Sequence, residues 1–556
     1  MAGKKEHGLD PLHLGTLYDS LKRTVATYGD RQAYCVPPKK DRAYYPDGKE
    51  FTWNETYAAV QERIRFYRQA GYGPGHRVAI LFDQRPEFVF HHLALNALGC
   101  STVGISPDYR HDELVYLLDH SETCLVFGIK ERLADLRAAA KELSRPVPVL
   151  RFDDLTLALP APAIPAGNWR PDGTTEAGLL YTSGTTGRPK GCVLTNEYFH
   201  FWAWWFLSRG GRLALSEGVE RLYNPLPLHH ANAFSISLPT MLLAGGCLVF
   251  PDRFHASTFW DDIVNCDVTA VQFQGVIPAI LLKLPQVAQE RAHRVKFALC
   301  AGIEPSLHET FETRFGFPLV EMWAMTETGR MTTDHLEPRM IHTRALGRSV
   351  PGAELRAVDE NGNDVPVGAQ GELVLRHSEA TPRKGFFAGY LKNREATDEA
   401  WRGGWFHTGD TVMRDDSGMF FFLDRAKNII RRAGENIAAS EVEERITSHA
   451  KVKQVAVLAV PDELREEEVM ALVIPKMSSD ANENFAREIF DYCCERLAYF
   501  KAPGYVLFVE SLPTTSSQKI QKVKIFPPGT DARKQPGVID LRHLKKKSPS
   551  GARVQV

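Results

Sequence analysis

The sequence predicts an α/β protein built from a large layered N-terminal domain and a small α/β C-terminal domain. Three observations predict this. The 556 residues exceed what one compact core normally uses. Helical and strand patterns alternate from the first residues onward. A fresh α/β pattern then starts after a break near Asp424 to Asn428. The hydrophobic share of 44% and charged share of 24% are ordinary for a globular chain. The net charge of -1 gives no electrostatic case for a nucleic-acid partner.

Taken in order, Leu17, Leu21 and Tyr28 repeat at helical spacing, and Val78 to Phe82 reads as a strand. Phe88, His92, Leu95 and Leu98 mark a second helix, on which His91 and His92 are expected to be packing residues. The glycines of GYGPGH, Gly71 to His76, precede a strand, whereas a dinucleotide fingerprint would follow one, so they predict a turn. Leu125 to Phe127 is a further strand. The alanine- and proline-rich segment Leu159 to Pro171 predicts a surface connection. Leu238 to Phe250 is apolar but too short to span a membrane, so no membrane span is expected.

Beyond the break, Ser440 with Glu443 predicts a capping box opening a helix. Strands are expected at Val455 to Val460, Met470 to Ile474 and Tyr505 to Val509, with a helix on Phe485, Ile489, Cys493 and Leu497. The run Glu466 to Glu468 reads as a solvated face, and 531–556, with the cluster starting at Lys545, as a basic disordered tail. The predicted division is 1–424, a junction at 425–428, 429–530, and the tail. Nine scattered cysteines, of which only the adjacent Cys493 and Cys494 lie close in sequence, suit free thiols in a reducing compartment. The start MAGKKEHGLD lacks a secretory apolar core, so a cytoplasmic location is expected.

The most informative stretch is YTSGTTGRPKG, Tyr181 to Gly191. A Walker loop places its lysine and hydroxyl at the start of a helix. Here Lys190 stands between Pro189 and Gly191, and flanking strands are expected at Gly178 to Thr182 and Cys192 to Thr195. The loop therefore joins two strands, and a helix opens later with Asn196 as its expected cap. Gly184, Gly187 and Gly191 allow close backbone approach to an anion. Thr182, Ser183, Thr185 and Thr186 supply hydroxyls, and Lys190 supplies charge. The plainer alternative is a flexible hairpin tip, which needs neither the hydroxyls nor the lysine.

This loop resembles the signature of the adenylate-forming superfamily, which includes acyl-CoA synthetases, adenylation domains and luciferases. Companion motifs follow in the family's order over nearly the whole chain: GPGHRVAILFDQRPEF, PLPLHHANAF, AGIEP, WAMTETG, GELVLRH, WFHTGD, FFLDRAKNIIRRAGENIAASEVE and PTTSSQKIQK. Within the superfamily, the motifs are similar to those of carnitine-type and related CoA ligases. The resemblance implies a carboxylic acid activated by ATP to an acyl-adenylate and passed to the thiol of CoA, with Mg²⁺ as the metal. It implies that Ser183 to Gly187 and Lys190 hold the leaving phosphates. Lys519 bridges carboxylate and α-phosphate, Thr326 donates to that phosphate, and Glu327 binds the metal. Asp410 and Arg425 take the ribose, while Trp323 stacks on adenine beside Gly302, Ile303 and Glu304. The small domain is implied to be mobile, turning on a hinge at Lys427. That rotation presents Gly434, Glu435 and Asn436 to a CoA tunnel.

Trp202, His230, Asn232, Phe273 and Gly275 are the expected acyl pocket, with His230 as wall and gate. The His229-His230 pair has no third metal ligand at recognisable spacing. The aromatic run YFHFWAWWF, Tyr198 to Phe206, favours a bulky apolar, aromatic or polycyclic acid, unless these rings simply pack the core. Gln518 stands where much of the family has glycine before the late lysine. An enzyme with weakened adenylation that thioesterifies a supplied acyl-adenylate is therefore a second reading. Others are transfer to a carrier protein or an amine, a scaffold that binds nucleotide without reaction, and a luciferase-type oxidation. A homodimer is among the expected assemblies.

Overall fold

The structure, a computed structural model, describes residues 10–154, 158–182, 188–303, 305–425, 429–513, 520, 522–527 and 529–545. The N-terminal part carries sheets of eight, seven and five strands, and the C-terminal part a sheet of six. In the seven-stranded sheet, β1 (Glu176–Thr182) and β2 (Lys190–Thr195) pair antiparallel with Thr182 opposite Lys190. The glycine-rich loop thus connects two neighbouring strands, as its sequence predicts. β1 also runs parallel to Ser101–Gly104, which pairs with Arg77–Leu81. Helix α1 (His111–His120) follows the Ser101–Gly104 strand.

Helix α2 (Asn196–Leu207) is nearly apolar on every side, so both of its faces are buried and only Trp204 among its aromatic residues is part-exposed. Its cap lies one residue earlier than expected. The Thr195 hydroxyl accepts from the Tyr198 N–H at 3.2 Å, while Asn196 turns inward and accepts from Leu17 N–H at 2.9 Å and Asn96 Nδ2 at 2.7 Å.

In the eight-stranded sheet, β3 (Ala270–Gln274), Phe297–Ala301 and β4 (Leu319–Trp323) run parallel. Their carboxyl ends open on one side, where loops can gather ligand-binding groups. In the five-stranded sheet, β5 (Phe406–Arg414) and β6 (Met419–Arg425) pair with Asp410 opposite Arg425. His91 and His92 are fully buried packing residues, held by Tyr67 Oη at 2.6 Å and Thr102 Oγ1 at 3.0 Å. Among the described residues, no helix is long and apolar enough to cross a membrane.

The C-terminal part comprises β7 (Ile429–Arg432), β8 (Glu435–Ala438), α3 (Ala439–Thr447), β9 (Val452–Asp462), β10 (Glu466–Pro475), α4 (Glu483–Arg496), β11 (Tyr505–Phe508) and β12 (Ile539–Asp540). Its core is its own: Val442 and Ile446 of α3 and Phe485 and Ile489 of α4 pack on Val457, Ala471 and Val473.

Helix α3 begins at Ala439 after Ala438, with no side-chain cap, so Ser440 lies inside the helix. Glu443 instead accepts from the Val457 N–H at 2.7 Å and pairs with Lys522 at 2.7 Å. The run Glu466 to Glu468 is no solvated face. Glu468 is fully buried, bonded to Arg432 Nε at 2.8 Å and to Lys545. Nor is 531–545 a loose tail: β12 pairs with β11, Ala532 packs on the sheet, and Lys545 is buried. The lysine cluster misled because its first member neutralises an acid in the domain interior. The rest of that segment, from 546, lies outside the described residues.

Candidate active site

One cavity of about 250 Å³ joins both parts of the chain, and it gathers Thr182, Lys190, Thr326, Glu327 and Asp410 on one wall. Lys190 reaches over the Tyr390 ring at 4.9 Å, and Tyr390 Oη donates to Glu327 Oε1 at 2.8 Å. Burial first, and the Glu327 charge second, hold the Tyr390 phenol protonated well above its usual range. The backbone at this turn is fixed from beneath, where Tyr198 Oη donates to the Thr326 carbonyl at 2.6 Å. Sequence reasoning missed Tyr390. It lies outside the quoted motifs, and only the pairing of the Gly389–Tyr390 strand with β2 brings it to the site. Ser183, Gly184, Thr185, Thr186, Gly187, Glu304, Lys427, Gln518 and Lys519 lie outside the described residues. For Arg425 only the backbone is described, opposite Asp410.

Trp323 ends β4 and donates its indole N–H to Asp410 Oδ2 at 2.7 Å, with both side chains buried. The residue expected at adenine and the residue expected at ribose are therefore one hydrogen-bonded unit. Two residues earlier on β4, the Glu321 carboxylate accepts from Gly302 N–H at 2.8 Å and Ile303 N–H at 2.9 Å. That shapes the loop expected beside adenine. Burial pushes Glu321 up to about 8, against the two N–H donors and Arg431. Glu321 was also missed, although the strand period of two places it with Trp323. A side chain at Gly275 would lie 1.9 Å from the Gly302 carbonyl, so close backbone contact requires glycine there. Gly275, Gly302, Ile303 and Trp323 line a larger cleft of about 1170 Å³ between the two parts.

At the other end of the smaller cavity lie Trp202, His230, Asn232, Ile236 and Gln274. Phe273, expected in the acyl pocket, is not among them. Strand alternation turns it into the core, 6.5 Å from Phe259 and 6.3 Å from Phe311 between ring centres. The rest of the wall is polar underneath. Asn224 Nδ2 donates to Asn232 Oδ1 at 3.0 Å and to Ser237 Oγ at 2.7 Å, and Ser237 donates to Gln272 at 2.7 Å. Residues Asn232–Ser237 form a π-helical turn, a geometry often found at functional sites.

The C-terminal part closes this cavity with Gly434, Glu435 and Asn436. Gly434 has φ of 91°, and a side chain there would meet Gln274 Oε1 at 2.4 Å. Glu435 lies 3.1 Å from His230. Burial opposes charge on both groups, but their attraction wins: the imidazole is raised above its ordinary 6.5 and the carboxylate drops to about 2. Glu435 also supplies the third group that the sequence lacked near the histidine pair, its oxygen, His229 and His230 all lying within 4.8 Å. Chain folding therefore brings together Trp202, His230 and Asn232 with Lys190, Glu327, Asp410 and the Gly434 loop, and leaves out Phe273, which packs in the core, and Gly275, which lines the larger cleft.

The profile of the AMP-binding enzyme family matches residues 21–391, and that of the AMP-binding enzyme C-terminal domain matches 441–519. The chain is 32% identical over 503 residues to a sulfoacetate–CoA ligase of Cupriavidus necator, covering 88% of this chain and 95% of that protein. It is 28% identical over 488 residues to a crotonobetaine/carnitine–CoA ligase of Escherichia coli, covering 84% and 92%. Among solved structures, a double mutant of o-succinylbenzoate CoA synthetase of Bacillus subtilis bound with a product analogue gives a TM-score of 0.78 at 24% identity, covering 91% of this chain and 98% of that one. The synthetase without those substitutions, in complex with AMP, gives 0.63 at 24% identity, with the same coverage. The likeness is one of fold, and the fold of this chain follows the first of the two structures more closely.

Proposed function

The chain belongs to the AMP-binding enzyme family, on the acyl-CoA ligase branch of the adenylate-forming superfamily, and from that premise we propose how its own residues carry the two half-reactions. The observation that supports this most is the single cavity in which Lys190, Glu327, Asp410 and Trp202 of the large domain meet Glu435 of the small one. In the first half-reaction two anions, carboxylate and α-phosphate, must approach each other, so the site has to supply positive charge and hydrogen-bond donors. Lys190 and the loop 183–187 hold the phosphates that leave as pyrophosphate. Lys519 bridges the carboxylate and the α-phosphate, and Thr326 donates to the latter. Asp410, aligned by the Trp323 N–H, accepts from the ribose hydroxyls, with Arg425 at the same sugar.

Glu327 fits a Mg²⁺ ion, because a carboxylate held by the Tyr390 hydroxyl offers the hard oxygen donor that this cation takes. Bound there, the ion would offset phosphate charge. In the second half-reaction the CoA sulfur forms a bond to the acyl carbon. The bond from that carbon to the phosphate oxygen breaks, AMP leaves with the electron pair, and the thiol proton goes to solvent. Gly434, Glu435 and Asn436 line the approach, and His230 gates it.

For the acid we narrow the expectation. Of the aromatic residues of α2, Trp202 alone lines the cavity while its neighbours pack the core, which removes most of the support for a bulky polycyclic acid. With Asn232 and Gln274 on its wall beside Trp202 and Ile236, the acyl end suits a compact acid with a polar group. The test is a panel of short polar, aromatic and polycyclic acids scored by kcat/KM with ATP and CoA, following AMP, pyrophosphate and thioester together. Preference for a polycyclic acid would overturn the narrowed reading. Separate assays of pyrophosphate release, and of thioester, carrier-protein and amide formation from supplied acyl-adenylate, test the altered SSQK motif and the acceptor. In Lys519→Ala, only the first half-reaction should fail.

A further inference from the structure

The joint between the two domains contains a charge cluster that the chemistry above does not use. Lys501, in the 3₁₀ turn Tyr499–Lys501 of the small domain, is buried at 4% exposure. Its ammonium donates to Glu113 Oε1 of the large domain at 2.6 Å and to Glu441 Oε1 of its own domain at 2.8 Å. Both carboxylates are themselves buried. Glu113 is the third residue of α1 and is fixed by the Arg110 N–H, which donates to its other oxygen at 2.9 Å. Glu441 is the third residue of α3. Two helix N-termini, one from each domain, thus present a glutamate to the same lysine. Beside them Arg445, one turn along α3, pairs with Asp112 of α1 at 3.2 Å.

We infer that Lys501 is a positioning residue for acyl transfer: by bridging Glu113 and Glu441 it latches the small domain in the arrangement that brings Gly434 and Glu435 to the cavity. The inference rests on the two half-reactions proposed above. Burial opposes charge on Lys501, yet the two carboxylates keep it protonated far above its usual range. A buried cation between two acids strongly favours the one geometry that satisfies it, because losing a partner leaves an uncompensated charge. When the domains part, water can solvate Glu113 and Lys501, so the contact can break and reform in each cycle. An apolar contact of the same size would offer no such exchange.

The test uses the full chain and the two half-reactions measured separately. Glu113→Gln should lower thioester formation from supplied acyl-adenylate by about tenfold while pyrophosphate release from ATP and acid stays within about twofold. Lys501→Glu alone should lower transfer further. Lys501→Glu combined with Glu113→Lys again sets one lysine between two glutamates and should recover most of the rate. A variant that merely failed to fold would lose both half-reactions and would not be rescued by a charge swap. If wild type performs both half-reactions and the variants change neither, change both equally, or show no rescue by the swap, the latch is wrong and the functional reading stands. If wild type performs neither, the functional reading itself fails and the latch falls with it.

Discussion

The two walls of the cavity are held by different physics. On the large-domain side, Trp323 holds Asp410 at 2.7 Å, Glu321 holds the Gly302 and Ile303 amides, and Tyr390 holds Glu327 at 2.8 Å, all within one domain. On the small-domain side, Glu435, Lys501 and Arg445 reach across the joint to His230, Glu113 and Asp112 through charge. The small domain also buries an apolar core made of its own residues. Hydrogen bonds among buried groups keep a wall rigid, because leaving a partner unmade costs more than making it gains. Ion pairs at a joint can be exchanged for hydration. On the proposed function, the difference teaches that the wall assigned to the nucleotide is built to stay and the wall assigned to the thiol can come and go.

The strongest way to break this comparison is Asp410→Ala. It removes a predicted ribose acceptor and strands the Trp323 N–H in a buried place. We expect kcat/KM for ATP to fall by about 100-fold and stability to drop by about 1–3 kcal/mol. Steady-state kinetics and thermal unfolding measure the two effects, and a loss of activity without any loss of stability would mean that the wall is not held by this bond. Next in size is Glu321→Ala, which strips the acceptors from both the Gly302 and the Ile303 N–H. The KM for ATP should rise about five- to tenfold with the KM for the acid unchanged. An equal rise in both would place Glu321 outside the nucleotide wall.

The smallest effect sharpens the other half. Because His230 is raised by Glu435, its contribution to the closed arrangement is fully present below its ordinary value of 6.5 and is lost as pH rises through the raised value. Glu435 titrates near 2, so it stays charged throughout this range. Acyl transfer should therefore decline by about two- to threefold on the alkaline side of this window, and His230→Gln should flatten that limb. A pH profile of the second half-reaction unchanged by the substitution would remove His230 from the joint.

Much of this was legible without coordinates. The order of the motifs, the loop between two strands and the α/β alternation all follow from local spacing, which the backbone repeats of strand and helix translate directly into structure. Other features were not. Phe273 looked like a pocket residue, and only the side of the sheet it faces put it in the core. The acids from Glu466 to Glu468 and the lysines after Asp531 each looked solvated, because a charge run carries no mark of a partner distant in sequence. Glu468 and Lys545 became interior residues by meeting one another.

The sequence by itself carried the α/β class and, through its ordered motifs, the resemblance to the family that the profiles then matched, since these depend on residue types at short, fixed spacings. Only the tertiary structure decided that Trp323 and Asp410 act as a pair, that Glu321 and Tyr390 belong to the site, and that Lys501 joins two helix starts from different domains. Those facts depend on which distant side chains come within about 3 Å of each other, where hydrogen bonds and charge attraction act. Local pattern does not encode that proximity.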